Sequence, residues 1–203
     1  KILITSAEPG EGKSTTIANL GVVMAQSGKK VIVVDCDLRR PKIHTYFGLP
    51  NRVGMSSLFS HSTDILESVK QQTRVEGLTV VTTGSLPPNP SELMSSQRIQ
   101  SIIKAMSESA DMVLIDTPPI LTVTDAAALA PSLDGVIFVI QPGQTRISAL
   151  KQTVEQMRQV NARILGIVLN NVFTRGKSYG YHYKYYHNYD AYQKYYETNS
   201  KTR

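Results

Sequence analysis

Three short segments hold the residues whose types and spacing could do chemistry. In the first, Ala7-Glu8-Pro9-Gly10-Glu11-Gly12-Lys13-Ser14, two glycines precede a lysine and a hydroxyl residue. Glycines let backbone amides curl around phosphate oxygens, and a helix opening at Lys13 would add the partial positive charge of its N-terminus. In such a loop the backbone of Gly10, Glu11, Gly12 and Lys13 cradles the phosphates of ATP, with Thr15 at the α-phosphate. Lys13 then reaches the β- and γ-phosphates, and Ser14 offers its hydroxyl to Mg²⁺. The usual pattern begins with glycine, where this chain has Ala7, so an unliganded glycine turn is the bland alternative.

The other two segments are acidic. Val31-Ile32-Val33-Val34-Asp35-Cys36-Asp37-Leu38-Arg39-Arg40-Pro41 ends an apolar run on Asp35 and Asp37, and Val113-Leu114-Ile115-Asp116-Thr117-Pro118-Pro119 ends another on Asp116. A lone aspartate at a strand end is usually a cap or a turn former. Three of them beside a phosphate loop fit the acidic half of a Mg²⁺ site, with Ser14, Asp37 and Asp116 as its candidate ligands, because hard cations take oxygen donors. Phosphoryl transfer asks a protein chiefly for positioning and charge neutralisation, which Lys13, Ser14, Asp37 and Asp116 are suited to supply. His44 and His61 have no companions at metal-ligand spacing and read as surface histidines.

These segments need elements to hold them. Candidate strands are Ile2 to Thr5, Val31 to Asp35, Leu78 to Thr82, Met112 to Asp116, Val136 to Gln141 and Ile164 to Leu169. Helical patterns fall at Ser14 to Gln26, Ser91 to Ser109, Val123 to Leu129 and Ile147 to Val160. Strand and helix alternating at this spacing predict an α/β fold, a mostly parallel central sheet flanked by helices on both faces. Ligands of such sheets bind at the carboxyl ends of the strands, where all three segments lie. The expected division is a nucleotide-binding domain over residues 1–172 and a tail over 173–203.

Bulk properties narrow the classes. A chain of 203 residues is long enough for one sizeable core, and no apolar run approaches the roughly 20 residues of a membrane helix. The single cysteine, Cys36, forms no internal disulfide, and no signal-peptide pattern is present, which favours a reducing cytoplasm. The chain opens directly on an apolar strand, as a segment of a longer protein would. The net charge is +6, and the part after Asn171 carries six basic residues against two acids, so the body is nearly neutral.

That tail has no Leu, Ile, Val or Met after Phe173, and nine tyrosines fall between 179 and 196: Tyr179, Tyr181, Tyr183, Tyr185, Tyr186, Tyr189, Tyr192, Tyr195 and Tyr196. Without aliphatic residues it has little with which to build a core and is expected to be flexible. Three readings apply: a packed aromatic cluster, a stacking platform for single-stranded nucleic acid, or phospho-acceptors. The adjoining phosphate site favours acceptors and weighs against nucleic acid. About 33 residues at roughly 3.3 to 3.6 Å each extend on the order of 100 Å, enough to enter the site of a neighbouring copy.

The glycine loop, the Asp-x-Asp-x-Arg after a strand and Asp-Thr-Pro-Pro together resemble the Walker A, A′ and B elements of the bacterial tyrosine kinases, cytoplasmic kinases of capsule and exopolysaccharide export. Pro87-Pro88-Asn89-Pro90-Ser91-Glu92-Leu93, Leu133-Asp134-Gly135-Val136, Gly166-Ile167-Val168-Leu169-Asn170 and the tyrosine cluster are similar to that family as well. The resemblance implies the P-loop NTPase fold, ATP and Mg²⁺ as cofactors, and autophosphorylation of the tail in trans, with Asp35 accepting the proton of the incoming tyrosine. It also implies a location at the inner face of the bacterial inner membrane, with a transmembrane activator or an N-terminal membrane segment. Rings in that family form through a Glu-x-x-Arg-x-x-Arg helix that this sequence does not contain. Asn170 stands where related folds read adenine, with a plain turn residue as the equal alternative. The competing reading is a nucleotide-switched binding module of the MinD and ParA type. Those ATPases carry an extra lysine early in the loop, where this chain has Glu8.

Overall fold

The structure, a computed structural model, describes residues 1–60 and 65–172. Strand β1 (Ile2–Ser6) leads through the glycine loop into helix α1 (Lys13–Gln26). In α1 the buried residues Ser14, Ile17, Ala18, Gly21 and Ala25 recur at three- and four-residue steps and form a single face. A Cβ on Gly21 would stand 2.8 Å from Val33 Cγ2, so glycine lets this helix lie close on the sheet. Strand β2 (Val31–Asp35) is buried throughout, which is why it reads as a continuous apolar run instead of alternating.

Three short helices follow, α2 (Ile43–Phe47), α3 (Ser57–Ser60) and α4 (Leu66–Val69), and then β3 (Lys70–Gln72) and β4 (Leu78–Val81). The remainder comprises α5 (Pro90–Ser95), α6 (Gln97–Glu108), β5 (Met112–Asp116), α7 (Asp125–Leu129), β6 (Gly135–Ile140), α8 (Ile147–Gln159) and β7 (Ile164–Leu169). The sheet runs β3-β4-β2-β5-β1-β6-β7, and every pair is parallel except β3 against β4. The expected mostly parallel sheet flanked by helices is therefore present.

Side chains alternate between two cores. Leu3, Ile32, Val34, Val113, Ile115 and Phe138 enter one with residues of α6, α7 and α8, while Ile4, Val31, Val33, Leu114 and Val139 enter the other with Ile17 of α1 and Ile43 of α2. Because β1 lies between β5 and β6, the glycine loop emerges at the centre of the sheet's carboxyl edge. No helix among the described residues is long and apolar enough to cross a membrane.

Two expectations change. The helix read from Ser91 to Ser109 is two helices, broken at Ser96, whose ψ of 154° is extended. Ser95 Oγ donates to the Ser91 carbonyl and Ser96 Oγ to the Leu93 carbonyl, local bonds that compete with helix continuation. The helix expected from Val123 begins at Asp125. The tyrosine tail from 173 onward and His61 lie outside the described residues.

Candidate active site

The phosphate loop owes its shape to glycine. Gly10 and Gly12 have φ of 88° and 87°, in the left-handed region that L side chains avoid. Gly12 is also the N-cap of α1, and no side chain caps that end, so the first-turn amides are left for a ligand. Thr15 is exposed on the same turn, and its hydroxyl lies 2.9 Å from Tyr46 OH of α2.

The three aspartates converge on the lysine of this loop. β2 and β5 pair in a register that sets Asp35 directly opposite Asp116, so both carboxylates leave the sheet at the same height. Lys13 Nζ donates to Asp37 Oδ2 at 3.2 Å and lies 3.6 Å from Asp116 Oδ1. Ser14 Oγ donates to Asp116 Oδ2 at 2.6 Å. Asp116 Oδ1 is buried and accepts no hydrogen bond. Among the described residues no group of three or more His, Cys, Asp or Glu is arranged to hold a metal alone. The donor set still fits Mg²⁺, which commonly binds one or two carboxylates together with phosphate oxygens: Ser14 Oγ adjoins Asp116, and Asp116 Oδ1 is free to accept.

Asp35 is fully buried, and its oxygens are taken by backbone amides: Oδ1 accepts from Asp37 N, and Oδ2 from Lys42 N and Ile43 N. It thereby caps the start of α2 from across the loop. Asp37 Oδ1 accepts from Arg39 N and Arg40 N, fixing the turn that carries both arginines.

Burial sets the electrostatics. Desolvation first, and then the neighbouring Asp116, push the Asp35 carboxyl up to about 7, against the opposing pull of the Ile43 amide. Desolvation likewise pushes Asp116 up to about 6, with Lys13 and Ser14 holding it down. Burial alone would lower the Lys13 ammonium, but Asp116 and Asp37 raise it above its ordinary value, so it stays charged.

Comparison with known proteins decides among the NTPases that share such a site. The ParA family model, described as NUBPL iron-transfer P-loop NTPase, matches residues 1–202. The tyrosine-protein kinase YwqD of Bacillus subtilis is 42% identical over 182 residues, covering 89% of this chain and 76% of that protein. The solved kinase domain of the Escherichia coli tyrosine kinase ETK superposes with a TM-score of 0.82 at 34% identity, covering 87% of this chain and 69% of the other. The septum site-determining protein MinD of Pyrococcus horikoshii, solved with Mg-ADP, gives 0.67 at 26% identity, covering 87% and 71%.

The chain belongs to the bacterial tyrosine-protein kinases, within the ParA-type P-loop NTPases. Its enzyme class is accordingly phosphoryl transfer to protein tyrosine.

Sequence reasoning missed two networks around the kinase site. In one, Arg39 Nη2 donates to Ser91 Oγ at 2.6 Å, Ser91 Oγ donates to Asp125 Oδ1 at 2.8 Å, and Arg39 Nε stands 3.5 Å from Asp125 Oδ2. It ties the Asp37 turn to α5 and α7. The only signal was an aspartate opening an alanine-rich helix, which by itself reads as an ordinary first-turn acid. In the other, the Glu11 side chain and Asn170 brace the phosphate loop. His44, read as a surface residue, is half-buried, with a buried Nδ1 that has no partner.

Proposed function

We propose that the kinase is an ATP-dependent tyrosine autokinase that phosphorylates its own tyrosine cluster, Tyr179 to Tyr196, in trans between neighbouring copies. The observation that carries this reading is the Lys13 ammonium bracketed by Asp37 and Asp116 directly behind a glycine loop whose helix end is uncapped. In this proposal the amides of residues 10–13 and Lys13 bind the β- and γ-phosphates, Thr15 meets the α-phosphate, and Ser14, Asp37 and Asp116 hold Mg²⁺. Bound there, the ion would neutralise the charge that develops on the phosphates during transfer. The tyrosine oxygen bonds to the γ-phosphorus as the bond to the β-bridging oxygen breaks, and ADP leaves. Asp35 receives the phenolic proton.

Glu8, where partner-sensing ATPases carry a lysine, supports the kinase over the binding module. Each phosphate adds about 1.5 to 2 negative charges, so a fully modified tail would reverse its basic character and repel a docked copy. That reversal, at the inner face of the membrane beside a transmembrane activator, would regulate capsule or exopolysaccharide synthesis. The test incubates the intact chain with Mg-ATP and its activator and detects phosphotyrosine, against Lys13→Met and a chain ending at Asn171. Phosphotyrosine in the intact chain alone supports the reading; none in any of them, or phosphoserine only, overturns it. Light scattering before and after phosphorylation checks the switch, and an unchanged assembly size removes it.

A further inference from the structure

The phosphate loop carries a carboxyl group that the chemistry above does not use. Glu11 is 1% exposed, and both of its carboxyl oxygens are occupied. Oε2 accepts from its own loop, from Glu8 N at 2.8 Å. Oε1 accepts from the hydroxyl of Thr145, which itself accepts from Gln141 N at 2.9 Å in the turn between β6 and α8. The Glu11 carbonyl accepts from Asn170 Nδ2 at 3.0 Å, at the end of β7. That carboxamide lies so near the loop that a Cβ on Gly12 would stand 1.9 Å from its nitrogen. The Asn170 backbone is held in turn, its amide donating to the Ile140 carbonyl at 2.8 Å.

A carboxyl group buried beside an anion site would oppose phosphate if it had no other task. Here it ties the loop to itself through Glu8 N and to the turn between β6 and α8 through the Thr145 hydroxyl. Asn170 completes the brace from the third strand in line, since β1, β6 and β7 are adjacent. We infer that Glu11, Thr145 and Asn170 form a strut that preorganises the phosphate loop, and that Asn170 acts on polyphosphate affinity rather than on recognition of the base. They are positioning residues, acting through the backbone amides of residues 10–13. One of the two carboxamide protons of Asn170 goes to the Glu11 carbonyl, which holds the side chain against the loop.

The inference rests on the proposed nucleotide site, and the experiment separates the two. Calorimetry on the full chain with Mg²⁺ measures binding of ATP, GTP and inorganic tripolyphosphate to wild type, Asn170→Ala, Thr145→Val and Glu11→Gln. The strut predicts that each variant weakens all three ligands by the same factor, about tenfold for a lost buried hydrogen bond. Loss of ATP affinity alone in Asn170→Ala, with tripolyphosphate unchanged, assigns Asn170 to the base and overturns the inference. So does wild-type affinity for all three ligands in the variants. Thr145→Val, which exchanges a hydroxyl for a methyl of near-equal size, carries the test if Asn170→Ala fails to fold, as a thermal melt reports. A wild-type chain that binds neither ATP nor tripolyphosphate overturns the nucleotide site itself, and the strut with it.

Discussion

At the end of β2 the Asp35 oxygens cap α2, while burial and the neighbouring Asp116 raise its carboxyl. In an unfolded chain both acids titrate near 4. Folding raises them to about 7 and about 6, so between about pH 4 and 7 the folded protein binds more protons than the unfolded one. Stability of the nucleotide-free kinase should therefore fall as pH rises through that window and level off above it. Asp35→Asn is expected to remove about half of that slope in urea midpoints measured from about pH 5 to 7.5. An unchanged slope would mean that Asp35 is not the titrating group. The same variant should reduce phosphotyrosine formation at least about tenfold if Asp35 takes the proton. Gly12→Ala is expected to lower ATP affinity strongly, because the left-handed φ and Asn170 both exclude a Cβ; calorimetry checks it.

Elements, more than single side chains, place the acidic turn and its neighbours. Met55 N and Ser56 N donate to the carbonyls of Thr82 and Thr83, and Gly84 N donates to Asn51 Oδ1, so the 50–57 segment extends the tip of β4. Gly54 permits the approach, since a Cβ there would meet the Thr82 carbonyl at 2.1 Å. Gly54→Ala is expected to destabilise the kinase by about 2 kcal/mol in urea denaturation; a change below about 0.5 would show that the loop yields freely. Ser91 joins α5 to the Arg39 and Asp125 pair, and Ser91→Ala should cost about 1 kcal/mol by the same measurement. Neither element contact had a pattern in the sequence. The segment from Asn51 to Ser57 has no periodicity, and the polar Lys70-Gln71-Gln72 becomes a strand only because β4 offers it an antiparallel edge.

At the scale of the molecule, the sheet ends on opposite sides in different ways. β3 closes one edge with polar residues, whereas β7 leaves Leu165, Ile167 and Leu169 about half exposed on the other. Long apolar edge strands invite pairing between chains. Ile167→Lys is expected to leave the unfolding free energy within about 0.5 kcal/mol of wild type. It should also reduce self-association in sedimentation, and an unchanged distribution would show that this edge takes no part.

Six of the seven strands, the phosphate loop and the acids that meet it were legible in the sequence, because apolar runs buried on both faces are continuous and glycines at fixed spacing before Lys-Ser have few other uses. Local rules also carry far enough to place Asp35, Asp37 and Asp116 at strand ends. Only the tertiary structure decided which charges face one another: the β2–β5 register sets Asp35 opposite Asp116, and the order β5-β1-β6-β7 brings Thr145 and Asn170 onto Glu11 from far along the chain. Such contacts depend on how strands are ordered across the sheet, and strand order leaves no mark in the spacing of residues along the chain.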